Sequence, residues 1–168
     1  MKRTVTLLAL LAALCCFLTV TAGAADAPTS GTCGENLTWT LDGAGTLRIA
    51  GEGAMGDYRY NTVPWKQSCD SIKTVVIENG VATIGDDSFY GCENMTSVTL
   101  PVSVTTIGNF AFRYCGSLTS VVIPESVTNI GEGAFSDCDS LTSVTIPKSV
   151  IAIGYYAFNE CTSLTDVS

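Results

Sequence analysis

Cysteine recurs at a fixed spacing, and its thiol is the first group in this sequence whose position suggests chemistry. Cys92, Cys115, Cys138 and Cys161 each lie 23 residues after the one before. Metal ligands must converge on one point, whereas side chains at equivalent positions of stacked repeats point in parallel. Disulfide bonding would require neighbouring side chains to twist toward each other. We therefore predict four buried thiols that act as small hydrophobic core residues, with pairing of some and metal binding as the alternatives.

Cys33 and Cys69 precede this series and form a separate pair of candidates. In an oxidising compartment they could close a disulfide loop. A disulfide and two free thiols both stay open as interpretations.

Catalysis is not supported by the residue types present. The chain contains no histidine, which excludes Ser-His-Asp and Cys-His arrangements. Carboxylate pairs occur at Asp86 with Asp87 and at Asp137 with Asp139, but solvated acids are usual at repeat turns, and the glycine-aspartate loop of calcium-binding repeats is missing. We predict no enzyme, no catalytic or metal-binding residues and no cofactor.

Composition and charge narrow the class of protein further. The 168 residues are 46% hydrophobic and 14% charged, which indicates a folded chain of about one domain. Eight Lys and Arg stand against sixteen Asp and Glu. This acidic balance argues against nucleic acid and anionic membranes as partners.

Residues 1–25 have the pattern of a secretory signal peptide. Lys2 and Arg3 are followed by an apolar run over 5–20 and by small residues at 22–24, which form a cleavage site. An uncleaved anchor and a lipidated cysteine are the alternatives. The prediction is a secreted or cell-surface protein that is not inserted in a membrane after cleavage.

One unit of sequence repeats four times and then begins a fifth time. The units cover residues 73–95, 96–118, 119–141 and 142–164, and a partial unit occupies 165–168. An unvarying period of this length is typical of a solenoid, in which each repeat buries its apolar side only by stacking on its neighbours. Since the last strand edge would be uncovered, we expect the chain to be the front of a longer protein.

The pattern within a unit predicts one strand and one short helix or 3₁₀ turn. Leu118, Val121 and Ile123 have strand spacing, and Pro124 ends the strand because proline cannot donate to the ladder. The following apolar residues recur at steps of three and four, the helical period. The predicted fold over residues 73–168 is thus an α/β solenoid. Its core includes a column of aromatic rings: Phe89, Phe112, Phe135 and Phe158.

Residues 26–72 are predicted to form a β-rich cap on this stack. Apolar residues alternate over 37–41 and again over 47–49, on either side of a glycine-containing turn, which is the pattern of a β-hairpin. Trp39 and Trp65 are expected to plug the open end of the core, with a ligand platform as the alternative.

The repeat unit resembles a known family. Its pattern, L-x-x-V-x-I-P-x-x-V-x-x-I-G-x-x-A-F-x-x-C-x-x-L over residues 73–164, resembles the 23-residue leucine-rich repeat of the BspA-like, or treponemal-type, surface proteins of bacteria and protists. The first unit departs from it at Glu78, Gly80 and Ser88. Residues 33–68 look like the segment that often precedes such repeats. The resemblance implies a leucine-rich repeat stack and a role in adhesion to host proteins or other cells.

Two surfaces are candidates for binding. Aromatic residues and an arginine, the types that dominate binding hot spots, occur in and near the variable positions after Ile-Gly, although they could merely cover neighbouring turns. The outward strand positions are small, which any exposed strand also allows. The candidate patch is Phe110, Arg113, Tyr114, Tyr155 and Tyr156, and the candidate strand face is Ser97, Thr99, Ser120, Val122, Ser143 and Thr145.

The sequence thus predicts a non-catalytic surface protein that binds an extracellular protein or a cell-surface macromolecule. The alternative is a structural spacer or scaffold at the front of a longer surface protein or secreted enzyme.

Overall fold

A computed structural model shows the fold and describes residues 29–168. The signal peptide predicted over residues 1–25 lies outside the described residues. The described chain forms thirteen short strands, with one 3₁₀ helix, Lys66–Ser71, between the fourth and the fifth. The strands are β1 Ser30–Thr32, β2 Leu37–Leu41, β3 Thr46–Gly51, β4 Gly53–Ala54, β5 Thr74–Ile77, β6 Val81–Ile84, β7 Ser97–Thr99, β8 Thr106–Ile107, β9 Ser120–Val122, β10 Asn129–Ile130, β11 Ser143–Thr145, β12 Ala152–Ile153 and β13 Asp166–Val167.

Each full repeat is one coil of a β-solenoid and contains two short strands. The first strand of a coil pairs in parallel with the first strand of the next, as Val121 does with Val144, except at the step from β7 to β9, which lie in different sheets. The second strands do the same, so that Ile107 pairs with Ile130. The resulting sheets have the strand orders β1-β2-β3-β5-β7, β12-β10-β8-β6-β4 and β13-β11-β9.

The predicted helix or 3₁₀ segment of each repeat is not confirmed. The residues after the second strand form consecutive turns, and Lys66–Ser71 is the only helix within residues 29–168. A helix requires hydrogen bonds within its own segment, whereas here the Phe89 N–H donates to the Ala111 carbonyl at 2.7 Å and the Phe112 N–H to the Ala134 carbonyl at 2.8 Å. The spacing of three and four residues therefore reflects turns that stack on the next coil.

The cap contains an additional coil that the sequence analysis missed. Strands β2 and β3 form an antiparallel hairpin, but β3 also pairs in parallel with β5, and β4 pairs in parallel with β6. Residues 46–72 thus stack on the first repeat as a coil of irregular length. Its Trp65 ring lies parallel to Phe89 at 5.5 Å, in the place that phenylalanine takes in the later coils.

The core runs without interruption through the coils. Phe89, Phe112 and Phe135 are fully buried, and successive ring centroids lie 5.1 Å apart. Phe158 continues the column and is partly buried. At the other end, the Trp39 ring packs edge-on against Trp65 at 5.8 Å, and both are buried. The two tryptophans close the core and do not form an exposed platform.

Candidate binding surface

The buried cysteines have a structural role. Cys115 and Cys138 are free and fully buried. Their Sγ atoms lie 3.2 Å from the carbonyl oxygens of Phe89 and Phe112, to which the thiols donate. Burial raises the pKa of Cys138 to about 12 and that of Cys115 well above its usual value. Both groups stay protonated and are therefore poor nucleophiles.

Cys161 continues the series at the end of the stack. It is free and half-buried, and its Sγ donates to the Phe135 carbonyl at 3.0 Å. Burial raises its pKa as well.

The structure contradicts the prediction of a free thiol at Cys92 and both open interpretations of the pair Cys33 and Cys69. Cys92 is not a thiol, because it forms a disulfide with Cys69, their Cα atoms 5.0 Å apart. Cys69 therefore does not pair with Cys33, which is free and buried. The physical reason is the additional coil: Cys69 holds the cysteine position of that coil, 23 residues before Cys92, so stacking sets the two side chains next to each other. The same 23-residue spacing was the sequence signal for this pair.

The position after Ile-Gly, which is Asp86 in the first repeat and Asn109 in the second, has a structural role that the sequence analysis missed. Asp86 Oδ1 accepts the Asn109 N–H at 2.7 Å, and Asn109 Oδ1 accepts the Glu132 N–H at 2.8 Å. In the additional coil, Asp57 Oδ1 accepts the Asp86 N–H at 3.1 Å. Each of these side chains satisfies a backbone donor of the next coil.

Across residues 29–168, no group of three or more His, Cys, Asp and Glu is placed to hold a metal.

Three residues of the predicted patch come together around one guanidinium. The Arg113 Cζ atom lies 4.7 Å from the Tyr114 ring centroid and 5.6 Å from that of Phe110. Arg113 Nη2 donates to the Tyr114 hydroxyl at 3.1 Å, and Arg113 Nε donates to Asp137 Oδ2 at 3.1 Å. The ion pair and the two rings hold Arg113 in one orientation.

Two further tyrosines extend this cluster across the coils. Tyr90 packs edge-on against Tyr114 with centroids 5.3 Å apart, and Tyr60 against Tyr90 at 5.0 Å. Tyr60 is 61% exposed and Tyr114 38%. We call Tyr60, Tyr90 and Tyr114 the tyrosine row. Tyr90 lies one repeat length before Arg113, so the repeat spacing could have placed it beside the predicted patch. Tyr60 lies in the irregular part of the additional coil, where no repeat spacing indicates its position.

Tyr155 and Tyr156 are not joined to this row. They are 83% and 70% exposed, and no aromatic or cation–π contact between them and the row occurs in the described part of the chain. Tyr155 instead lines a groove of about 400 Å³ over Gly131 and Gly154. The predicted patch is therefore two separate surfaces.

The predicted strand face is a regular surface of small side chains. Ser120 pairs with Ser143 and Val122 with Thr145. Val122 is 75% exposed, and Thr99 lines a groove of about 600 Å³ with its neighbours. The predicted strand face carries hydroxyl and methyl groups. It has neither aromatic rings like those of the tyrosine row nor an arginine like the one beside that row.

The stacked coils define a leucine-rich repeat solenoid, and sequence comparison shows its family. The profile of the BspA type leucine-rich repeat region matches residues 66–168 in six copies. The chain belongs to this family, which confirms the resemblance noted in the sequence. The matched region begins within the additional coil and includes Cys69.

Solved structures with this fold come from several bacteria. A leucine-rich repeat protein from Eubacterium ventriosum is 27% identical, with a TM-score of 0.65 over 83% of this chain and 44% of that one. The T. pallidum leucine-rich repeat protein is 28% identical, with a TM-score of 0.60 over 81% of this chain and 70% of that one. A third, from Bacteroides ovatus, is 25% identical, with a TM-score of 0.61 over 80% of this chain and 40% of that one.

The chain spans less than half the length of the E. ventriosum protein. Comparison with functionally curated proteins gives no match. No helix within residues 29–168 has the length and apolar character needed to cross a membrane.

Proposed function

We propose that this chain is an exported, non-catalytic repeat protein that binds a macromolecular partner through the tyrosine row and Arg113. The observation that carries the proposal is the row itself, a line of partly exposed aromatic rings with a fixed guanidinium beside it. Tyrosine and arginine are among the residues that are enriched in binding hot spots.

The row is held in place before any partner arrives. Tyr90 contacts a ring on either side, and Arg113 is fixed by Asp137 and Tyr114. Side chains that are already ordered lose little conformational entropy on binding. Binding therefore costs little conformational entropy on this side of the interface.

Export is supported by three features. The disulfide between Cys69 and Cys92 fits an oxidising compartment. The predicted signal peptide over residues 1–25 and the resemblance to surface proteins agree with it.

Binding is favoured over catalysis by the state of the reactive groups. The thiols of Cys115 and Cys138 are buried, with raised pKa values. Asp86 accepts a backbone hydrogen bond, and Asp137 pairs with Arg113. These thiols and carboxylates therefore stabilise the stacked coils or hold Arg113 beside the tyrosine row.

Selection from a random peptide library tests the proposal without a known partner. The chain of residues 1–168 is expressed in a host that exports it, and the exported protein is immobilised and used to select phage-displayed peptides. The dissociation constants of the enriched peptides are then measured. Replacing Tyr90 and Tyr114 together by Ser should weaken binding at least about 30-fold, since one hot-spot side chain contributes about 2 kcal/mol.

The matched control is Ser97→Ala with Thr99→Ala on the strand face, which should bind as the unchanged protein does. Equal binding by the tyrosine variant, or loss with the strand-face variant, would contradict the assignment of the site. Failure to enrich any peptide would favour a spacer or scaffold role.

A further inference from the structure

Two shallow grooves meet at the tyrosine row. One, of about 350 Å³, is lined by Tyr60, Tyr90 and Tyr114 together with Asp70 and Glu93. The other, of about 400 Å³, shares Tyr114 and Glu93 with the first and is otherwise lined by residues that include Asp137 and Asp139. Because they share these two residues, the grooves form one continuous depression, which we call the tyrosine groove.

The charge of the tyrosine groove is negative, because its carboxylates are only partly neutralised within the described chain. Arg113 pairs with Asp137. Asp70, Glu93 and Asp139 are exposed, and neither of the ion pairs formed within residues 29–168 involves them. Among the described residues, Lys66 is the one cation that lines the groove, and its Nζ atom lies 5.9 Å from the Tyr60 ring centroid. The carboxylates thus outnumber the cations, as they do in the whole chain, whose net charge is −8.

Ring faces and carboxylates side by side suit a cation. A lysine or arginine is attracted to the face of a tyrosine ring, and Lys66 and Arg113 already lie over rings of this surface. A further basic group, from a partner, would find both a ring and a carboxylate such as Glu93 to contact. An acidic partner would meet like charges, which are strongly unfavourable at an interface.

We infer that the tyrosine groove binds a basic protein segment, rich in lysine or arginine. The inference rests on the proposed function and names the chemistry of its partner. Centroid steps of 5.0 and 5.3 Å make the row about as long as three residues of extended chain. One or two basic side chains of the segment therefore occupy the groove at a time, and neighbouring residues contact its rims.

Fluorescence anisotropy with synthetic peptides tests the inference. The same exported chain is titrated separately against three labelled octapeptides, of alternating Gly and Lys, Gly and Ser, and Gly and Glu. We expect binding of the Gly-Lys peptide alone, weakening as salt is raised because exposed charges are screened. Glu93→Gln with Asp139→Asn should weaken it about tenfold.

The control variant removes the same charge elsewhere. Glu52→Gln with Glu125→Gln replaces two exposed carboxylates outside the groove and should change the affinity by less than about twofold. An equal loss in both variants would mean that overall charge alone attracts the peptide, and would overturn the inference. Circular dichroism of each variant confirms that the fold is kept.

The outcomes also separate this inference from the proposed function. If the Gly-Lys peptide does not bind while library-selected peptides still require Tyr90 and Tyr114, the basic partner is wrong and the binding function stands. If neither class of peptide depends on the row, both are wrong.

Discussion

Truncating Phe112 to Ala removes a central ring of the phenylalanine column. The Phe112 side chain is fully buried, and its centroid lies 5.1 Å from those of both Phe89 and Phe135. The coils are tied to each other by backbone hydrogen bonds on either side of this ring. They have little freedom to collapse into the space that the ring leaves, so most of the cavity should persist.

The expected loss follows from burial and stacking. Phe→Ala changes in a core cost about 3–5 kcal/mol of unfolding free energy, and an aromatic pair contributes about 0.5–1.5 kcal/mol beyond its buried area. Phe112 has two such pairs, which sets the expectation near the upper end, about 4–5 kcal/mol. Phe158 is only partly buried, and within residues 29–168 its ring stacks on one other ring, that of Phe135 at 5.3 Å. Phe158→Ala should therefore cost about 2 kcal/mol.

Urea unfolding followed by tryptophan fluorescence measures both variants, because Trp39 and Trp65 lie in the core. The account predicts that the loss at Phe112 is about twice that at Phe158, with unchanged urea dependence if unfolding is two-state. Equal losses at the two positions, or a loss at Phe112 below about 1.5 kcal/mol, would refute the continuous core.

The remaining predictions concern the cysteines and one glycine. Cys69→Ser should lower the unfolding free energy by about 3 kcal/mol, and reduction of the unchanged chain should do the same, because both remove the disulfide. Cys33→Ser is the control and should leave the effect of reduction unchanged. Urea unfolding with and without reductant measures these free energies. Because the pKa of Cys138 rises from 9.0 to about 12 in the folded chain, the folded state favours the protonated thiol, and its contribution to stability is present below pH 9 and lost as the pH rises toward 12. Alkylation followed by mass spectrometry should accordingly label Cys138 at pH 8 only in denaturant. Gly131→Ala should lower the unfolding free energy by about 3 kcal/mol, because a Cβ atom at Gly131 would lie 2.5 Å from the Gly108 carbonyl carbon. Gly116→Ala should leave the thermal unfolding temperature unchanged, because a Cβ atom there would meet nothing within 4 Å.

The repeating part of the fold could be predicted from the sequence because each coil repeats the same constraints. Position-by-position recurrence of Ile-Gly, Phe and Cys places equivalent residues in stacked columns, and the structure has the phenylalanines in such a column. The prediction of the local conformation between the strands was not confirmed, because turns take the place of the expected helix or 3₁₀ segment. Apolar spacing of three and four residues is shared by a helix and by stacked turns, and the left-handed backbone at Phe110, with φ of 53°, is not visible in a periodicity.

The additional coil was missed because its length is irregular. In this coil Trp65 packs against Phe89, as the phenylalanines of successive repeats pack against each other, and Cys69 bonds to Cys92. Its strand β3, however, pairs with β5 at a spacing that differs from the 23-residue repeat, since Leu47 pairs with Val75. A search at one fixed period cannot find such a unit. Tyr60 of the tyrosine row lies in the irregular part of this coil, so the row could not be assembled from the regular repeats alone, whereas Cys69 keeps the 23-residue spacing to Cys92.

Hydroxyl-radical footprinting of the chain bound to a library-selected peptide tests the central claim, that the tyrosine row is the binding site, most directly. Tyr60 and Tyr114 should be oxidised several times more slowly in the complex, while Tyr155 and Tyr156, which are more exposed and separate from the row, should react at unchanged rates. Protection of Tyr155 and Tyr156, or of the exposed Val122 on the strand face, with Tyr60 and Tyr114 unaffected, would contradict the account.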